Sequence, residues 1–241
     1  MKVVKRALDL LALLRHFEEM PLKGVAAALG VENNSAWNLL SCLCKLGYVE
    51  KARNGVYRLG PEFHSLARGG GGGLVAALTA ELTTLSTTVK ESSVMVRLAG
   101  NRLEVVSDVD YEGEIMVRNR IYDREDALYC WACGHVLLAW SPELIVKGIV
   151  AAKGLPTAEQ WPGVQTLAQL WAELSRIRGA GIAERHTRGL VICSIAVPSF
   201  DAAGELFAIG ISYPGALDTL THRKAIIANL KLTAERVARG G

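Results

Sequence analysis

The apolar residues at the start of the chain recur at intervals of three and four, which is the spacing of helices. An amphipathic helix is predicted over 3–17 by apolar residues at this spacing, namely Val4, Leu8, Leu11 and Leu14. A second, short helix (22–29) is predicted between Pro21 and Gly30. Asn33 or Asn34 is suited to cap a third helix, which Gly47 ends.

The pattern then changes to alternation over residues 48–59, on either side of Asn54-Gly55, which is a strong hairpin signal. Three helices followed by a hairpin is the plan of a winged helix-turn-helix. In that plan the third helix enters the major groove of DNA and the hairpin lies against the backbone or the minor groove.

Residues 92–241 mix strand and helix patterns. A second hairpin is predicted across Gly100-Asn101 (93–110), and alternation also predicts strands at 114–122, 182–187, 190–200 and 205–214. Helices are predicted over 125–140, 142–152 and 166–181, with a closing amphipathic helix that begins at Thr219 or Thr221. This order predicts an α+β domain with one antiparallel sheet and helices on its faces.

Five consecutive glycines at 69–73 interrupt a segment, 64–91, that begins and ends with a helical pattern. Glycine costs about 1 kcal/mol per residue in a helix, so the run favours a hinge. We therefore predict a DNA-binding domain at 1–66, a linker with its Gly-rich run and helix at 67–91, and a second domain at 92–241.

Charge is unevenly distributed along the chain, although the net value is only +3. Residues 1–68 hold ten Lys/Arg against six Asp/Glu, whereas the remainder holds 17 against 18. The basic N-terminal part, called the head below (residues 1–66), together with a near-neutral remainder fits a polyanion-binding function.

Five cysteines without regular spacing favour a reduced setting. We find neither a membrane-spanning stretch nor a signal peptide, so a cytoplasmic protein without a membrane partner is expected.

The head matches a known pattern over nearly all of 3–63. The matching segments are VKRALDLLALL, LKGVAAALGVENNSAWNLLSCLCKLGYVEK and VYRLGPEF. They resemble the N-terminal domain of the IclR (isocitrate lyase regulator) family of bacterial transcription factors. The family usually opens its recognition helix with a basic residue and Ser-Thr, and this chain has asparagines there instead.

Asparagine reads adenine bidentately, so the third helix remains competent for base readout. The bases are expected to meet Asn33, Asn34, Ser35 and Asn38, while Trp37 packs or buttresses the backbone. Phosphate charge is left to basic residues elsewhere in the head, namely Lys5, Arg6, Lys23, Lys45, Arg53 and Arg58. The alternative is a helical module that binds something other than DNA, with the asparagines as cap and surface residues.

The second domain resembles the IclR effector-binding domain, which has a GAF/profilin-like fold. The segments that carry this likeness are ALYCWACGHVLLA, SRIRGAGIAERHTRG, SIAVPSFDAAGEL and AIGISYP. The resemblance implies that backbone N–H groups at Ala132-Cys133 meet a small acidic or polar effector, with the pocket completed by Glu184, Ser194, Gly210 and Ser212. Three of these positions depart from the family pattern, since Glu184 is usually Asp, Ser194 usually Cys and Gly210 usually Ser. Nearby aromatic residues would suit an aromatic effector: Tyr129, Trp131 and Tyr213.

Cys130, Cys133 and His135 lie within six positions, and this spacing permits a metal site or a redox-active thiol pair. Zinc would need a fourth ligand, for which His186 or Cys193 is available, and a CxxC at a helix start is also typical of redox thiols. The other reading is that both cysteines are small core residues and that His135 lies at the surface or the pocket rim.

The sequence as a whole predicts a transcriptional regulator, more often a repressor in this family, that needs no cofactor and catalyses no reaction. Its expected partners are double-stranded operator DNA, a small carboxylate or aromatic effector, and further copies of itself in a homodimer or homotetramer. The alternative is a GAF-like thiol oxidoreductase, or a redox or metal sensor, that uses Cys130 and Cys133.

Overall fold

The computed structural model describes residues 2–52, 54–66, 74–113, 117–118, 122, 124, 126–187, 192–201 and 204–240. They form two compact units. The first contains residues 1–70 together with 99–101 and 142–154, and the second contains the rest. The glycine run at 69–73, the wing-tip Arg53 and most of the strand predicted at 114–122 lie outside the described residues; Val117 and Arg118 are described and are not in a strand.

The first unit begins as a winged helix-turn-helix. Its helices are α1 (Lys2–Phe17), α2 (Leu22–Leu29), α3 (Asn33–Lys45) and α4 (Pro61–Leu66). The strands β1 (Glu19–Pro21), β2 (Val49–Lys51) and β3 (Val56–Leu59) form a sheet in the order β1-β3-β2. The wing is therefore the predicted hairpin, with Gly55 at φ +80° in its turn, and β1 is an element that the sequence pattern did not indicate.

The helix ends agree with the predictions in part. Gly30 ends α2 in the left-handed conformation at φ +63°, where glycine has no Cβ penalty. The predicted asparagine cap of α3 is wrong, because Glu32 holds the cap position with extended backbone and no side-chain bond, and Asn33 is already helical. On α1 the buried residues are Leu10, Leu13 and Leu14, while Val4 and Leu8 remain more than 60% exposed at 64% and 62%. Leu14 is thus buried as the spacing suggests, but the other buried positions are Leu10 and Leu13, because the apolar residues of α1 cover more than one face of the helix.

The second unit is built on an antiparallel five-stranded sheet in the order β5-β4-β8-β7-β6. Its strands are β4 (Ser92–Ala99), β5 (Arg102–Val109), β6 (Ala183–Thr187), β7 (Ile192–Phe200) and β8 (Leu206–Pro214). The remaining helices of the chain are α5 (Leu74–Val89), α6 (Ala127–Cys130), α7 (Ala132–Trp140), α8 (Glu143–Lys153), α9 (Leu167–Ala180) and α10 (Leu220–Gly240), of which α8 groups with the first unit. The predicted α+β fold with one antiparallel sheet is confirmed.

Each face of the sheet has its own helices. One face packs on α5 and α10 through a closed apolar core that includes Leu82, Leu85, Ile195, Ile209 and Ile211. Side chains alternate along a strand, so the neighbours Ser194, Gly210 and Ser212 point to the other face, which α7 covers. Within the described part of the chain, no helix combines the length and the apolar character of a membrane crossing.

Candidate functional site

Helix α3 separates a buried side from a polar, exposed side. Ala36, Leu40 and Leu43 are buried and fix the helix in the head. The side chains expected to meet DNA bases are all exposed, namely Asn33, Asn34, Ser35 and Asn38. Trp37 is not packed as expected, since 53% of it is exposed on the same outer surface. The outer surface therefore offers amide and hydroxyl groups next to one aromatic ring.

The basic residues of the head differ in how much of their charge is available. Lys5 pairs with Asp9 at 2.8 Å, and Arg58 on β3 pairs with Glu50 and lies 3.9 Å from Glu19. Arg6 and Lys23 are exposed, and no ion pair engages either one among the described residues. Arg53 lies outside the described residues, so its predicted phosphate contact stays a prediction.

In the second unit, the chain breaks its helical path at Trp131, between α6 and α7. Trp131 is extended at φ −122° and ψ 152°, and the helix resumes at Ala132. Gly134 permits this arrangement, because a Cβ there would lie 2.0 Å from the carbonyl oxygen of Leu128. The break presents the N-terminus of α7 to the sheet.

Five of the predicted pocket residues meet at this helix start. The Ala132 N–H donates to Ser194 Oγ at 3.3 Å. Ser194 and Ser212 are register partners on β7 and β8, so both hydroxyls lie on the α7 face. Cys133 lies against Gly210, where an added Cβ would be 2.3 Å from its Sγ. The thiol thus fills the space that a larger residue at position 210 would need.

A residue that sequence reasoning missed completes the cluster. Tyr122 is 1% exposed, and its hydroxyl lies 3.2 Å from Ser212 Oγ and accepts from Cys133 Sγ at 3.6 Å. Burial raises the pKa of this phenol well above its usual value, so it stays neutral. Tyr122 ended a predicted strand, and nothing in its local sequence indicated a contact with β8, ninety residues away.

Two aromatic residues predicted for the pocket are buried at the helix break. Trp131 is 4% exposed, and its ring lies 6.3 Å from that of Tyr122. Its indole N–H is buried and has no acceptor among the described residues. Tyr129 is 1% exposed, and burial raises its pKa to about 12. An unpaired buried donor is costly, which makes the Trp131 N–H a group that an acceptor would satisfy.

Glu184 does not join this cluster, contrary to the expectation from the family pattern. It is the register partner of Ile195, so it points to the α5 and α10 face, where it pairs with Arg223. Its neighbour Arg185 lies opposite Ser194 instead and donates to the Cys130 carbonyl at 3.2 Å.

Tyr213, which was predicted near the pocket, is also on the α5 and α10 face of the sheet, where its hydroxyl donates to Asp218 at 2.8 Å. Neighbouring residues of a strand point to opposite faces of the sheet. The resemblance to the family predicted that Glu184 belongs to the pocket, but it did not establish the face to which the side chain points.

The thiols at the break are not activated. Burial raises the pKa of Cys130 to about 11 and that of Cys133 to about 12, whereas a reactive thiol needs a lowered value. Cys193 faces the opposite side of the sheet, since it is the register partner of Tyr213. In the described part of the chain, no three His, Cys, Asp or Glu side chains are grouped to hold a metal ion.

His135 is buried, which corrects its expected place at the surface. It is 2% exposed, its Nε2 lies 2.8 Å from the Tyr129 carbonyl oxygen, and its ring stacks on Trp161 at 3.4 Å. Burial lowers its pKa to about 3. A neutral imidazole held between a carbonyl and an indole ring is a structural part of the core.

Comparisons with known proteins agree over both units. A family model for the IclR helix-turn-helix domain matches residues 3–53, and one for the bacterial transcriptional regulator IclR C-terminal domain matches residues 72–239. The HTH-type transcriptional regulator Rv1719 of Mycobacterium tuberculosis is 29% identical over 219 residues, which cover 88% of this chain and 82% of that protein.

Solved structures share the fold. An IclR transcriptional regulator from Alicyclobacillus acidocaldarius is 20% identical, with a TM-score of 0.58 over 99% of this chain and 98% of its own. An IclR homolog from Microbacterium hydrocarbonoxydans, complexed with 4-hydroxybenzoate, is 17% identical, with a TM-score of 0.55 over 99% of this chain and 100% of its own.

A winged helix-turn-helix with an exposed reading helix, followed by an α+β domain with a polar cluster at a helix start, defines the class of ligand-responsive DNA-binding proteins. Both family models are matched, the second over most of the chain. The chain therefore belongs to the IclR family of bacterial transcriptional regulators, with a DNA-binding head and a C-terminal ligand-binding domain. The thiol oxidoreductase and sensor alternatives find no support in these comparisons.

Proposed function

We propose that this regulator binds operator DNA as a homo-oligomer, acts as a repressor, and leaves the DNA when a small hydroxyaromatic or aromatic carboxylate occupies the cluster at the start of α7. It acts by binding and not by catalysis, in the cytoplasm where its DNA is. Half-sites read by two heads need a two-fold partner, which favours a dimer or a tetramer.

The observation that carries the effector part is the buried polar cluster itself. Ser194, Ser212 and Tyr122 place three buried hydroxyl groups next to the N-terminus of α7. Buried polar groups with aromatic walls are typical of sites for small molecules that carry both a ring and a polar group. The related protein that was solved with 4-hydroxybenzoate supports the same class of ligand for this chain.

The DNA part is supported by the exposed polar surface of α3. Asn34, Ser35 and Asn38 are exposed on α3 and carry amide and hydroxyl groups that can bond to base edges, and Arg6 and Lys23 are exposed for phosphate contacts. Ion pairing of Lys5 and Arg58 reduces the charge offered to phosphates, so we expect binding with a modest salt dependence.

The test is a footprint of the full-length protein on the DNA upstream of its own coding sequence, followed by a titration with candidate effectors. We expect 4-hydroxybenzoate to release the labelled DNA and an aliphatic polyol such as glycerol to leave it bound. Light scattering of the same sample should give the mass of a dimer or a tetramer. Absence of any protected sequence, or a monomer with and without DNA, would contradict the proposal.

A further inference from the structure

The phenol ring of Tyr122 lies in the cluster that is proposed above as the effector site. The Tyr122 hydroxyl lies between Ser212 Oγ and Cys133 Sγ, and it is 3.5 Å from the position that a Cβ of residue 210 would take. Ser212, Cys133 and Gly210 are also three of the residues predicted to bind the effector. The side chain and the ligand therefore require the same hydrogen-bond partners.

The space around Tyr122 leaves no room for a second ring beside it. The phenol is 1% exposed, Trp131 is 4% exposed, and Cys133 already occupies the volume next to Gly210. Protein interiors are close-packed, so an added ring needs an equal volume to be vacated. Occupation by Tyr122 and occupation by an aromatic ligand exclude each other.

The Trp131 indole N–H supplies the preference between these two occupants. It is buried without an acceptor among the described residues while Tyr122 is in place. A phenol that carries an acceptor at a second ring position reproduces the bonds of Tyr122 and can also satisfy this donor, which the tyrosine side chain does not.

We propose that Tyr122 is an internal ligand of the effector site, and that the external ligand is a hydroxyaryl compound with a hydrogen-bond acceptor, which competes with Tyr122 for Ser212 and Cys133. This inference rests on the proposed function for the identity of the pocket. It adds the competing residue and the ligand groups that overcome the competition.

The test removes the competing side chain and returns its atoms as a separate molecule. Alanine at position 122 keeps Cβ, so the atoms removed by Tyr122→Ala are those of phenol. We expect phenol to raise the Tm of this variant and to leave the wild type unchanged. Benzene should bind the variant about fivefold more weakly, since it lacks one neutral hydrogen bond. An apolar hole would instead accept benzene as well as phenol.

A matched control is Tyr213→Ala, which empties a similar volume on the other face of the sheet, where Ser212 does not point. Phenol can bind there as well, because Asp218 is left to accept its hydroxyl, so this variant controls for cavity filling alone, and we expect it to leave the apparent Kd of 4-hydroxybenzoate at the wild-type value. Tyr122→Phe keeps the ring in place, and we expect it to bind phenol no better than the wild type. If Tyr122→Ala does not fold, Tyr122→Leu replaces it, because leucine keeps most of the apolar volume and lacks the hydroxyl.

The competition itself is measured by calorimetric titration with 4-hydroxybenzoate. Removal of an occupant that fills the site in nine molecules of ten lowers the apparent Kd about tenfold, and we expect this for Tyr122→Ala and a smaller gain for Tyr122→Leu. Equal Kd values for the wild type and these variants, or equal binding of phenol and benzene to Tyr122→Ala, would overturn the inference.

Two outcomes separate this inference from the proposed function. If phenol binds Tyr122→Ala selectively but 4-hydroxybenzoate never releases DNA from the wild type, the proposed function fails and the internal ligand stands. If 4-hydroxybenzoate releases DNA from the wild type but Tyr122→Ala leaves the Kd of 4-hydroxybenzoate unchanged, the proposed function stands and the internal ligand fails.

Discussion

The outer surface of α3 and the cluster beside α7 both consist of short polar side chains, but they differ in what satisfies those groups. Asn34 and Asn38 are exposed, so water satisfies their amides until a base edge replaces it. In the cluster, Tyr122 and Ser212 are 1% exposed and satisfy each other. A change on α3 should therefore alter binding and leave folding intact, whereas a change in the cluster should alter folding first.

The largest effect is expected from Gly134→Ala, at the helix break that shapes the cluster. The added Cβ would meet the Leu128 carbonyl oxygen at 2.0 Å, and backbone atoms cannot move aside as a side chain can. We expect the free energy of unfolding to fall by about 3 kcal/mol or more, measured by urea denaturation and tryptophan fluorescence. The control is Gly179→Ala in α9, where a Cβ meets nothing within 4 Å and where we expect a gain of about 0.5–1 kcal/mol. Equal stabilities of the two variants would refute the tight approach of α6 and α7.

The next effect tests whether Cys133 and Gly210 share one space. Gly210→Ala alone brings a Cβ to 2.3 Å from Cys133 Sγ and should cost about 1–3 kcal/mol of unfolding free energy. Combined with Cys133→Ala, which removes that sulfur, the same substitution should cost much less. A double-mutant cycle by urea denaturation measures this coupling, and we expect it to exceed about 1 kcal/mol. Additive costs would show that the two residues do not compete for volume.

The alternation of side chains was enough to predict β4 to β8, but it missed β1 and it predicted a strand at 114–122 in which the described Val117 and Arg118 do not lie. The family pattern placed Ser194 and Ser212 in one pocket, and both do lie on the α7 face. That pattern was not enough for Glu184, because it supplied a position without its register, and the structure puts Glu184 opposite Ile195 on the far face. Tyr122 was missed since its partner Ser212 is ninety residues away, a contact that only the folded sheet creates. His135 was expected at the surface or the pocket rim, whereas the Trp161 ring and the Tyr129 carbonyl hold it in the core. Buried polar contacts depend on long-range pairing, and local patterns do not contain it.

A third test concerns the buried histidine next to the cluster. Burial lowers the pKa of His135 from 6.5 to about 3, so the unfolded chain takes up this proton first as the pH falls below 6.5. Stability is therefore lost towards acid pH, by about 2 kcal/mol at pH 5. His135→Phe keeps a ring against Trp161 and removes the titration, so its unfolding free energy should depend less on pH between 7 and 5. Burial raises the pKa of Glu91 to about 7, so Glu91 adds stability towards acid pH, and it does so equally in the wild type and in His135→Phe. Parallel pH profiles would mean that the pKa of His135 is the same in the folded and the unfolded chain.

On α3 we expect a similar or smaller effect, and on binding alone. Asn38→Ala should weaken binding to the operator by about 1 kcal/mol or more and leave binding to random DNA nearly unchanged. Its unfolding free energy should match that of the wild type, since Asn38 is exposed. Asn229→Ala on α10, a half-buried asparagine whose amide donates to the Ala225 carbonyl, serves as the control outside the head and should leave DNA binding unchanged. Equal loss on both DNAs, measured by fluorescence anisotropy, would make Asn38 a backbone contact only.

The smallest effect separates two lysines of the same head by their partners. Lys23 is exposed without an ion pair among the described residues, whereas Lys5 is held by Asp9 at 2.8 Å. A phosphate contact releases counterions, so Lys23→Ala should reduce the slope of log K against log salt by about 0.9. Lys5→Ala should reduce it less, because the same substitution also frees the Asp9 carboxylate and the lysine first has to leave that partner. The slopes are measured by anisotropy on random DNA over a series of salt concentrations. Equal slopes for Lys23→Ala and the wild type would remove Lys23 from the DNA interface, and a larger change for Lys5→Ala would show that its pair with Asp9 opens on DNA.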